Sequence, residues 1–459
     1  MAEEEPQNKR RRTQHASHNE ASGAARDVLA LYRSLDVQAM PFSWVQRIFD
    51  PHILATTTSG ERASCRQAIQ SLAGQLLQVK HRLKPVANEC AETVNDHLQA
   101  SDRQWRSAPG HGRYSAQDPF TPSDAFHEAR SFCNPFEILG QHNGLNRRFI
   151  NRSAIKLVNV DALLDFRLVQ PVAPNETYVF VDLCGAPGGF SEYIMHRCRE
   201  NKTTRSCHGY GMSLLAPNEH GHGFGWKLHD HESTKHGTTC RYTICKGQDG
   251  TGDVYKWENV VSLQEQMRRD GHVGGAHLVV ADGGIDAQRD IDDQEGLTQK
   301  LLVCEVTAAL ACLRPGGTLV LKMFGCQTST IKCMMTEIQK VFRHIHMFKP
   351  VSSRPASAES YMVATGFRGL PPSWNAQEWR DSVFLAWRFD RDAPANQEFC
   401  SFLDTFDHDM FHLNLTACFS ILSYMETKKQ GLKINRPLLP YGDQYEVPLE
   451  RYRRAWRLG

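Results

Sequence analysis

A glycine-rich turn at residues 185–189 is the segment of the sequence best suited to bind a small ligand. It reads Gly-Ala-Pro-Gly-Gly and lies between an apolar run ending at Asp182-Leu183-Cys184 and a helical segment beginning near Phe190-Ser191. Glycine lets a ligand approach the backbone, and the first turn of a helix offers free N–H groups to a polar ligand. The residue order does not fit the dinucleotide fingerprint G-x-G-x-x-G, which argues against an NAD-dependent oxidoreductase. The alternative ligand of the nucleotide type is S-adenosylmethionine, whose amino-acid end can bind to such a turn.

Short apolar strands alternate with helices from residue 125 to about residue 370. The segments YVFVDL, HLVVAD, GGTLVLKMF and SYMVATGF are typical of buried strands, and QKLLVCEVTAALACL is typical of a helix. This alternation predicts an α/β fold with a mostly parallel, doubly wound, Rossmann-like sheet. Ligands of such open sheets bind at the carboxyl ends of the strands, where the glycine-rich turn lies.

The segments that flank this domain differ from it in composition. Residues 1–25 contain few large apolar side chains, and this composition predicts a disordered tail. The tail includes the basic run Lys9-Arg10-Arg11-Arg12. The basic run suits a nuclear localisation signal or a solvated tail. Helical periodicity predicts a helical module over residues 26–100, and the Ser, Gly, Pro and Asp of residues 101–124 predict a linker.

Residues 371–459 are expected to form a C-terminal extension. Its tail, from Lys428 to Gly459, holds eight Lys/Arg against three Asp/Glu and interleaves Tyr and Trp with them. Such a tail can bind RNA by charge and stacking, or it can pack its aromatic residues onto the main domain.

Composition limits the class of protein. A chain of 459 residues fits two or three domains, and 53 Lys+Arg against 51 Asp+Glu argue against a protein that coats duplex nucleic acid over a long footprint. Local binding of nucleic acid at one end or in one cleft remains open. No apolar run is long enough for a transmembrane helix, and the N-terminus has no apolar segment typical of a signal peptide. The 14 scattered cysteines are expected to be reduced thiols in a cytosolic or nuclear compartment.

Between about His127 and Phe367, roughly half of the chain, the sequence resembles the RrmJ/FtsJ-type 2′-O-ribose methyltransferases. Within them it is most similar to the eukaryotic cap-specific mRNA (nucleoside-2′-O-)-methyltransferase 1 family. The resemblance is carried, in this order, by EARSFCNPFEIL, FINRSAIKLVNVD, DLCGAPGGFSEY, GYGMSL, VVADGG, QKLLVCEV, LVLKMF and FKPVSSRPASAESYMV. It implies an enzyme that uses S-adenosylmethionine to methylate a ribose 2′-hydroxyl of RNA.

The resemblance also implies a catalytic tetrad. A ribose 2′-hydroxyl loses its proton with difficulty, so its attack on a methyl group needs a base and an in-line geometry. Lys156, Asp282, Lys322 and Glu359 match the K-D-K-E tetrad of the family. Lys322 is the expected general base, and Lys156 is expected to lower its pKa by like-charge repulsion and to orient the ribose. Asp282 and Glu359 are expected to hydrogen-bond the two ammonium groups. Taken singly, each of the four also has an ordinary structural explanation.

The cofactor contacts follow from the same resemblance. The expected contacts with the methionine end of S-adenosylmethionine are Cys184, Gly185, Ala186, Pro187, Gly188, Gly189 and Phe190. Asp253 matches an acidic position near the adenosine, although it could instead form an Asx turn beside Gly252.

The substrate contacts are expected at two further places. Arg130 matches a family position that contacts RNA, and its guanidinium suits a phosphate. The family segment that contacts the cap corresponds here to Asp292, Asp293 and Gln294, but their identities depart from the family. Glu359 is also expected to contact the substrate. Asp292 is equally well explained as a surface charge.

A cluster rich in His and Cys between Cys207 and Cys245 raises the question of zinc. Its spacing fits no structural zinc pattern, so a polar surface loop is preferred and no metal is expected.

The sequence thus predicts a nuclear enzyme that methylates the first transcribed nucleotide of 7-methylguanosine-capped RNA, forming cap 1. RNA polymerase or other capping machinery would be suitable protein partners, and no membrane is expected to be involved. Two alternatives stay open: a methyltransferase acting on ribosomal RNA, transfer RNA or another cap-proximal nucleotide, and a catalytically idle RNA-binding subunit.

Overall fold

A computed structural model of the chain describes residues 43–49, 59–100, 120–133, 148–170, 172–173, 175–201, 204–215, 225–284, 294–385 and 394–431. The strands are β1 (Ser43–Phe49), β2 (Thr177–Leu183), β3 (Ser206–Met212), β4 (His231–Lys235), β5 (Thr238–Ile244), β6 (Ala276–Ala281), β7 (Leu313–Met323), β8 (His344–Pro350) and β9 (Ser360–Thr365). The helices are α1 (Ser59–Ala100), α2 (Pro122–Phe132), α3 (Ser153–Leu163), α4 (Gly189–Glu200), α5 (Trp257–Arg269), α6 (Gln294–Cys312), α7 (Ser329–Val341), α8 (Ala376–Phe384) and α9 (Pro394–Lys429).

Within the described ranges, the strands form one nine-stranded sheet in the order β1-β8-β9-β7-β6-β2-β3-β5-β4. Strands β5, β3, β2, β6 and β7 run parallel, and β9 is inserted antiparallel between β7 and β8. The edge strands β1 and β4 are also antiparallel to their neighbours. The predicted mostly parallel, Rossmann-like sheet is confirmed.

Helices cover both faces of the sheet. In β2, Val179 and Val181 point into a core shared with α5, α6 and α7, whereas Tyr178 and Phe180 point into a second core shared with α3 and α4. A strand that is buried on both faces has no polar side to mark its alternation. The segment YVFVDL therefore reads as a continuous apolar run.

A third core joins helices from the two ends of the described chain. Leu76 and Val79 of α1 and Ala129 of α2 pack with Ile421 and Met425 of α9. The amino- and carboxyl-terminal helices thus form a single helical layer.

This arrangement differs from the boundaries expected from the sequence. Residues 59–100 of the expected helical module are helical, but Ser43–Phe49 is a strand that pairs with β8 at the edge of the sheet. Its partner lies about 300 residues away, so local periodicity could not identify the pairing. Helix α2 begins at Pro122 inside the expected linker, because Thr121 and Asp124 form a capping box there. The expected C-terminal extension is divided between α8, which packs on α6, and α9, which packs on α1.

Several expectations concern residues that the structure does not describe. The tail 1–25 with its basic run and the basic, aromatic tail beyond residue 431 lie outside the described residues. Among the helices that are described, we find none with the length and apolar character that a membrane span requires.

Candidate active site

The glycine-rich turn closes over the carboxyl end of β2. Cys184, Gly185, Ala186 and Pro187 form the turn, and Gly188 ends it with φ of 110° as the N-cap of α4. A side chain at Gly188 would be strained, and its Cβ would lie 2.6 Å from Leu228 Cβ.

The next residue brings α3 against this turn. A Cβ at Gly189 would lie only 1.9 Å from Asn151 Oδ1, so the amino ends of α3 and α4 approach each other closely. Phe190 is buried behind the turn and anchors the first turn of α4 in the core. The backbone geometry thus holds α3, which carries Lys156, beside the turn.

The residues beneath the turn fit a ligand that carries a positively charged group. Asp182 is fully buried, and its Oδ2 accepts hydrogen bonds from Ser191 N and Ser191 Oγ at 3.2 and 2.6 Å. Its Oδ1 is buried and has no hydrogen-bond partner among the described residues. Burial and, to a lesser extent, the nearby Asp282 together raise the pKa of Asp182 to about 7. A cradle of glycine backbone above an unsatisfied carboxylate suits the amino-acid end of S-adenosylmethionine.

Asp253 lies between β5 and α5, beside the end of β3. Its Oδ1 accepts a hydrogen bond from Tyr255 N at 2.9 Å, which is the Asx turn that the sequence had left as one possibility. A Cβ at the preceding Gly252 would lie 2.1 Å from Ser213 O, so this turn packs tightly against the strand end. An adenosine contact for Asp253 stays a prediction.

The four residues of the expected tetrad converge at the carboxyl edge of the sheet. Lys322, near the end of β7, donates to the backbone oxygen of Asp282 at 2.7 Å and lies 3.2 Å from Asp282 Oδ1. Tyr361 OH donates to the same Oδ1 at 2.9 Å and so fixes the carboxylate. The side chains of Lys322 and Asp282 are only 10% and 15% exposed, so water screens their attraction weakly.

The second pair joins α3 to the segment before β9. Lys156 Nζ lies 2.7 Å from Glu359 Oε2, and Ser353 Oγ donates to Glu359 Oε1 at 2.8 Å. Asn159 on α3 accepts hydrogen bonds from the backbone N and the Oγ of Ser352, both at 3.1 Å. These contacts tie the β8–β9 segment to α3 and hold Glu359 opposite Lys156.

The pKa of Lys322 differs from the sequence-based expectation. Burial lowers it, but Asp282, Glu359 and Glu305 together outweigh burial and raise it above its ordinary value. The expected depression by Lys156 is therefore wrong for the protein without bound substrates. Its physical reason is that Lys156 is already paired with Glu359, while three carboxylates act on Lys322.

Two buried ionisable residues at the site were missed by the sequence reasoning. Glu305, fully buried in α6, accepts a hydrogen bond from Gly283 N at 3.0 Å, directly after Asp282. Burial raises the pKa of Glu305 to about 8. Lys349, fully buried in β8, donates to the backbone oxygens of Ser357 and Glu359.

Burial also lowers the pKa of Lys349 to about 7. Glu305 is the one carboxylate inside the apolar run LLVCEVTAAL, and Lys349 directly follows the apolar pair Met347-Phe348 in its strand. A charged residue type among apolar neighbours is also the signal that singles out Lys322 in its own strand, so the same signal could have identified Glu305 and Lys349.

The expected RNA contacts are only partly described. Arg130 on α2 lines a cavity of about 1170 Å³ that opens onto Lys156 and Glu359, and its guanidinium lies 5.6 Å from the centre of the Phe126 ring. Asp292, Asp293 and the side chain of Gln294 lie outside the described residues.

The His- and Cys-rich segment is the expected polar surface loop only in part: His229 and His236 are exposed outside the strands, whereas other members of the cluster are buried. Cys207 and His208 lie in β3 and Cys240 in β5, and all three are buried. In the part of the chain that the structure describes, no three His, Cys, Asp or Glu side chains are arranged to hold a metal ion.

The FtsJ-like methyltransferase family matches residues 149–367. This range contains the parallel strands, the glycine-rich turn and all four tetrad residues, so the chain carries an FtsJ-like methyltransferase domain.

Two curated relatives are both named cap-specific mRNA (nucleoside-2′-O-)-methyltransferase 1. The Drosophila melanogaster protein is 33% identical over 244 residues, which cover 51% of this chain and 28% of the fly protein. The human protein is 31% identical over 250 residues, which cover 52% of this chain and 28% of the human protein. The matched region thus spans less than a third of either relative.

Among solved structures, a ribosomal RNA methyltransferase of Plasmodium falciparum is similar with a TM-score of 0.32 and 19% identity. The match covers 48% of this chain and 99% of that protein.

Proposed function

We propose that the protein transfers a methyl group from S-adenosylmethionine to a ribose 2′-hydroxyl of RNA. The observation that carries this proposal is the convergence of Lys156, Asp282, Lys322 and Glu359 at the carboxyl edge of the sheet, next to the glycine-rich turn. Two lysines and two carboxylates suit a reaction that must orient a hydroxyl and accept its proton.

The cofactor would be held by residues 184–190 with Asp182 beneath them. When bound, S-adenosylmethionine would supply the methyl group on a positively charged sulfur. Backbone N–H groups of the turn and of the first turn of α4 suit its carboxylate, and the unsatisfied Oδ1 of Asp182 suits its ammonium group.

The chain's own residues would then position and deprotonate the ribose. Lys322, fixed by Asp282, would act as general base on the 2′-hydroxyl after losing its proton. Lys156, fixed by Glu359, would donate a hydrogen bond to the ribose. Once protonated again, Lys322 would be stabilised by the carboxylates of Asp282 and Glu359, and by Glu305 once that group ionises near pH 8.

The substrate we propose is 7-methylguanosine-capped RNA, methylated at its first transcribed nucleotide in the nucleus to give cap 1. The support for the capped substrate is the name shared by the curated fly and human relatives and their similarity over the catalytic domain. The cationic side chains along the cavity beside the tetrad also suit an RNA 5′ end.

The test is transfer of a labelled methyl group to two RNAs of identical sequence, one with a 7-methylguanosine cap and one with a 5′-triphosphate. Label on the capped RNA alone, located at the first ribose by nuclease digestion, is the expected result. Equal labelling of both RNAs would refute cap dependence, and no label on either would refute the proposal for RNA 5′ ends. As a control for the site, Lys322→Ala should abolish transfer while S-adenosylmethionine binding, measured by calorimetry, stays within a few-fold. Loss of both together would show that Lys322 is structural.

A further inference from the structure

The cavity beside the tetrad has two walls of different origin. We call it the cleft: its inner wall comes from the catalytic domain and includes Arg152, Lys156 and the segment 354–360. Its outer wall comes from helices that belong to the third core, and includes Lys80 of α1, Arg130 of α2 and Phe411 of α9. Lys80 and Phe411 lie outside residues 149–367, which match the methyltransferase family.

The cleft presents positive charge to a ligand. Cationic side chains reach it from both walls, namely Lys80, Arg130, Arg152, Lys156 and Arg354. Its carboxylates already accept hydrogen bonds from the protein. Glu295 accepts from the backbone N atoms of Gln327 and Thr328 at 3.0 and 2.6 Å, and Glu359 pairs with Lys156.

Among the described residues that line the cleft, the third carboxylate is Asp407, which accepts from the backbone N of Cys326 at 3.0 Å. Burial raises its pKa to about 7, so its negative charge is weakened near neutral pH. The described lining of the cleft therefore carries more cationic than anionic side chains, which favours an anion, and a chain of phosphates can contact several of these cations at once.

The outer wall is held in place by contacts at both ends of the helical layer. Asn95 near the end of α1 exchanges two hydrogen bonds with the backbone of Phe120, at 2.8 and 2.9 Å. Lys428 of α9 pairs with Glu128 of α2 at 2.5 Å and lies over the Phe120 ring. These contacts hold α1 and α9 against α2 and the segment that precedes it, so the helices of the outer wall are packed as one unit.

We propose that α1, α2 and α9 form the outer wall of an RNA-binding cleft and that Lys80 binds a phosphate in the 5′ segment of the substrate RNA. This inference rests on the proposed function and adds a task for the helical layer, which lies largely outside the matched family domain. Phe126 and Phe411 give the same wall aromatic surface on which a base can stack.

The experiment measures binding of the full-length protein to a short capped RNA with a fluorophore at its 3′ end, by anisotropy at several salt concentrations. The variants are Lys80→Ala and Lys80→Glu. The matched control is Arg82→Glu, which makes the same charge change two residues further along α1, at an exposed position that does not line the cleft. Thermal unfolding and calorimetric binding of S-adenosylmethionine are measured in parallel.

Lys80→Ala is expected to weaken RNA binding roughly 5- to 10-fold, because it removes one charged hydrogen bond to a phosphate. It should also lower the slope of log K against log salt by about 0.7, the value for one phosphate contact on a single strand. Lys80→Glu should weaken binding further and raise the KM for RNA. Arg82→Glu should stay within about twofold of the unmodified protein, and melting and cofactor binding should be unchanged in all variants.

Equal effects of Lys80→Glu and Arg82→Glu, or an unchanged salt slope, would overturn the inference. Failure of the proposed function has a different signature. If the unmodified protein binds RNA in a Lys80-dependent manner but transfers no methyl group, the outer wall stands and the methyltransferase activity does not. If it methylates RNA while Lys80→Glu keeps the RNA affinity and KM, the activity stands and the outer wall does not.

Discussion

The pH dependence of methyl transfer tests the assignment of Lys322 as the base. Asp282, Glu359 and Glu305 raise the pKa of Lys322 above its ordinary value of 10.5, despite the opposing effect of burial. At pH 7.5, three pH units below that value, fewer than about one in a thousand free enzyme molecules has a neutral Lys322. With both substrates far below their KM values, the rate should therefore rise about tenfold per pH unit between pH 7 and 9.5.

The contribution of Asp282 to this profile can be worked out from its geometry. Its Oδ1 lies 3.2 Å from Lys322 Nζ. At that distance, even with the dielectric constant of bulk water, the two charges attract each other by about 1.3 kcal/mol, which corresponds to a shift of about one unit in the pKa of Lys322. Asp282→Asn keeps an oxygen for the Tyr361 hydroxyl and removes the charge, so it should move the rising limb to lower pH by at least about one unit.

The assay is labelled methyl transfer to capped RNA in short incubations, with folding checked at each pH by intrinsic fluorescence. Asp165→Asn is the control, because the same change is made at an exposed position after α3 whose positive φ of 53° asparagine tolerates. A rate that is independent of pH from 7 to 9.5, or that reaches a plateau below pH 9, would refute Lys322 as the base in the observed environment. An unshifted profile in Asp282→Asn would refute the electrostatic reasoning.

Three further predictions follow from buried groups and from the turn. Glu305 has a folded pKa of about 8, above its unfolded value near 4.5, so its contribution to stability is lost as pH rises through 8. In urea unfolding, Glu305→Gln should therefore gain stability relative to the unmodified protein between pH 6 and pH 9. Parallel curves of unfolding free energy against pH for the two proteins would contradict this. Lys349→Met leaves the backbone oxygens of Ser357 and Glu359 without their donor, so we expect kcat to fall at least about tenfold with cofactor affinity kept. Lys349→Arg should not restore kcat, because a permanent charge would be buried there; an unchanged kcat in Lys349→Met would show that Lys349 does not position Glu359. Gly188→Ala should weaken S-adenosylmethionine binding about tenfold and destabilise the fold by about 1–3 kcal/mol, whereas Gly250→Ala, at a similar φ of 78° but in open space, should leave cofactor binding intact in calorimetry.

The sequence by itself determined the α/β class and the elements that carry the site. Apolar runs such as HLVVAD predicted the strands because a strand buried on both faces has to be apolar throughout. The position of the glycine-rich turn followed because close packing, as at Gly188 and Gly189, excludes larger side chains. The four tetrad residues could also be identified from the sequence, because the short motifs that carry them occur here in the same order as in the family that the sequence resembles.

The tertiary structure alone decided how these groups act on each other. Lys322 is surrounded by Asp282, Glu305 and Glu359, which come from three separate parts of the chain, and their combined field reverses the direction of its expected pKa shift. Strand β1 joins the sheet through β8, and α1 meets α9 across more than 300 residues of sequence. Periodicity describes only the residues within one element, whereas electrostatic fields and core packing sum over residues that only folding brings together. For that reason neither the charge state of Lys322 nor the outer wall of the cleft could be predicted from the order of the residues.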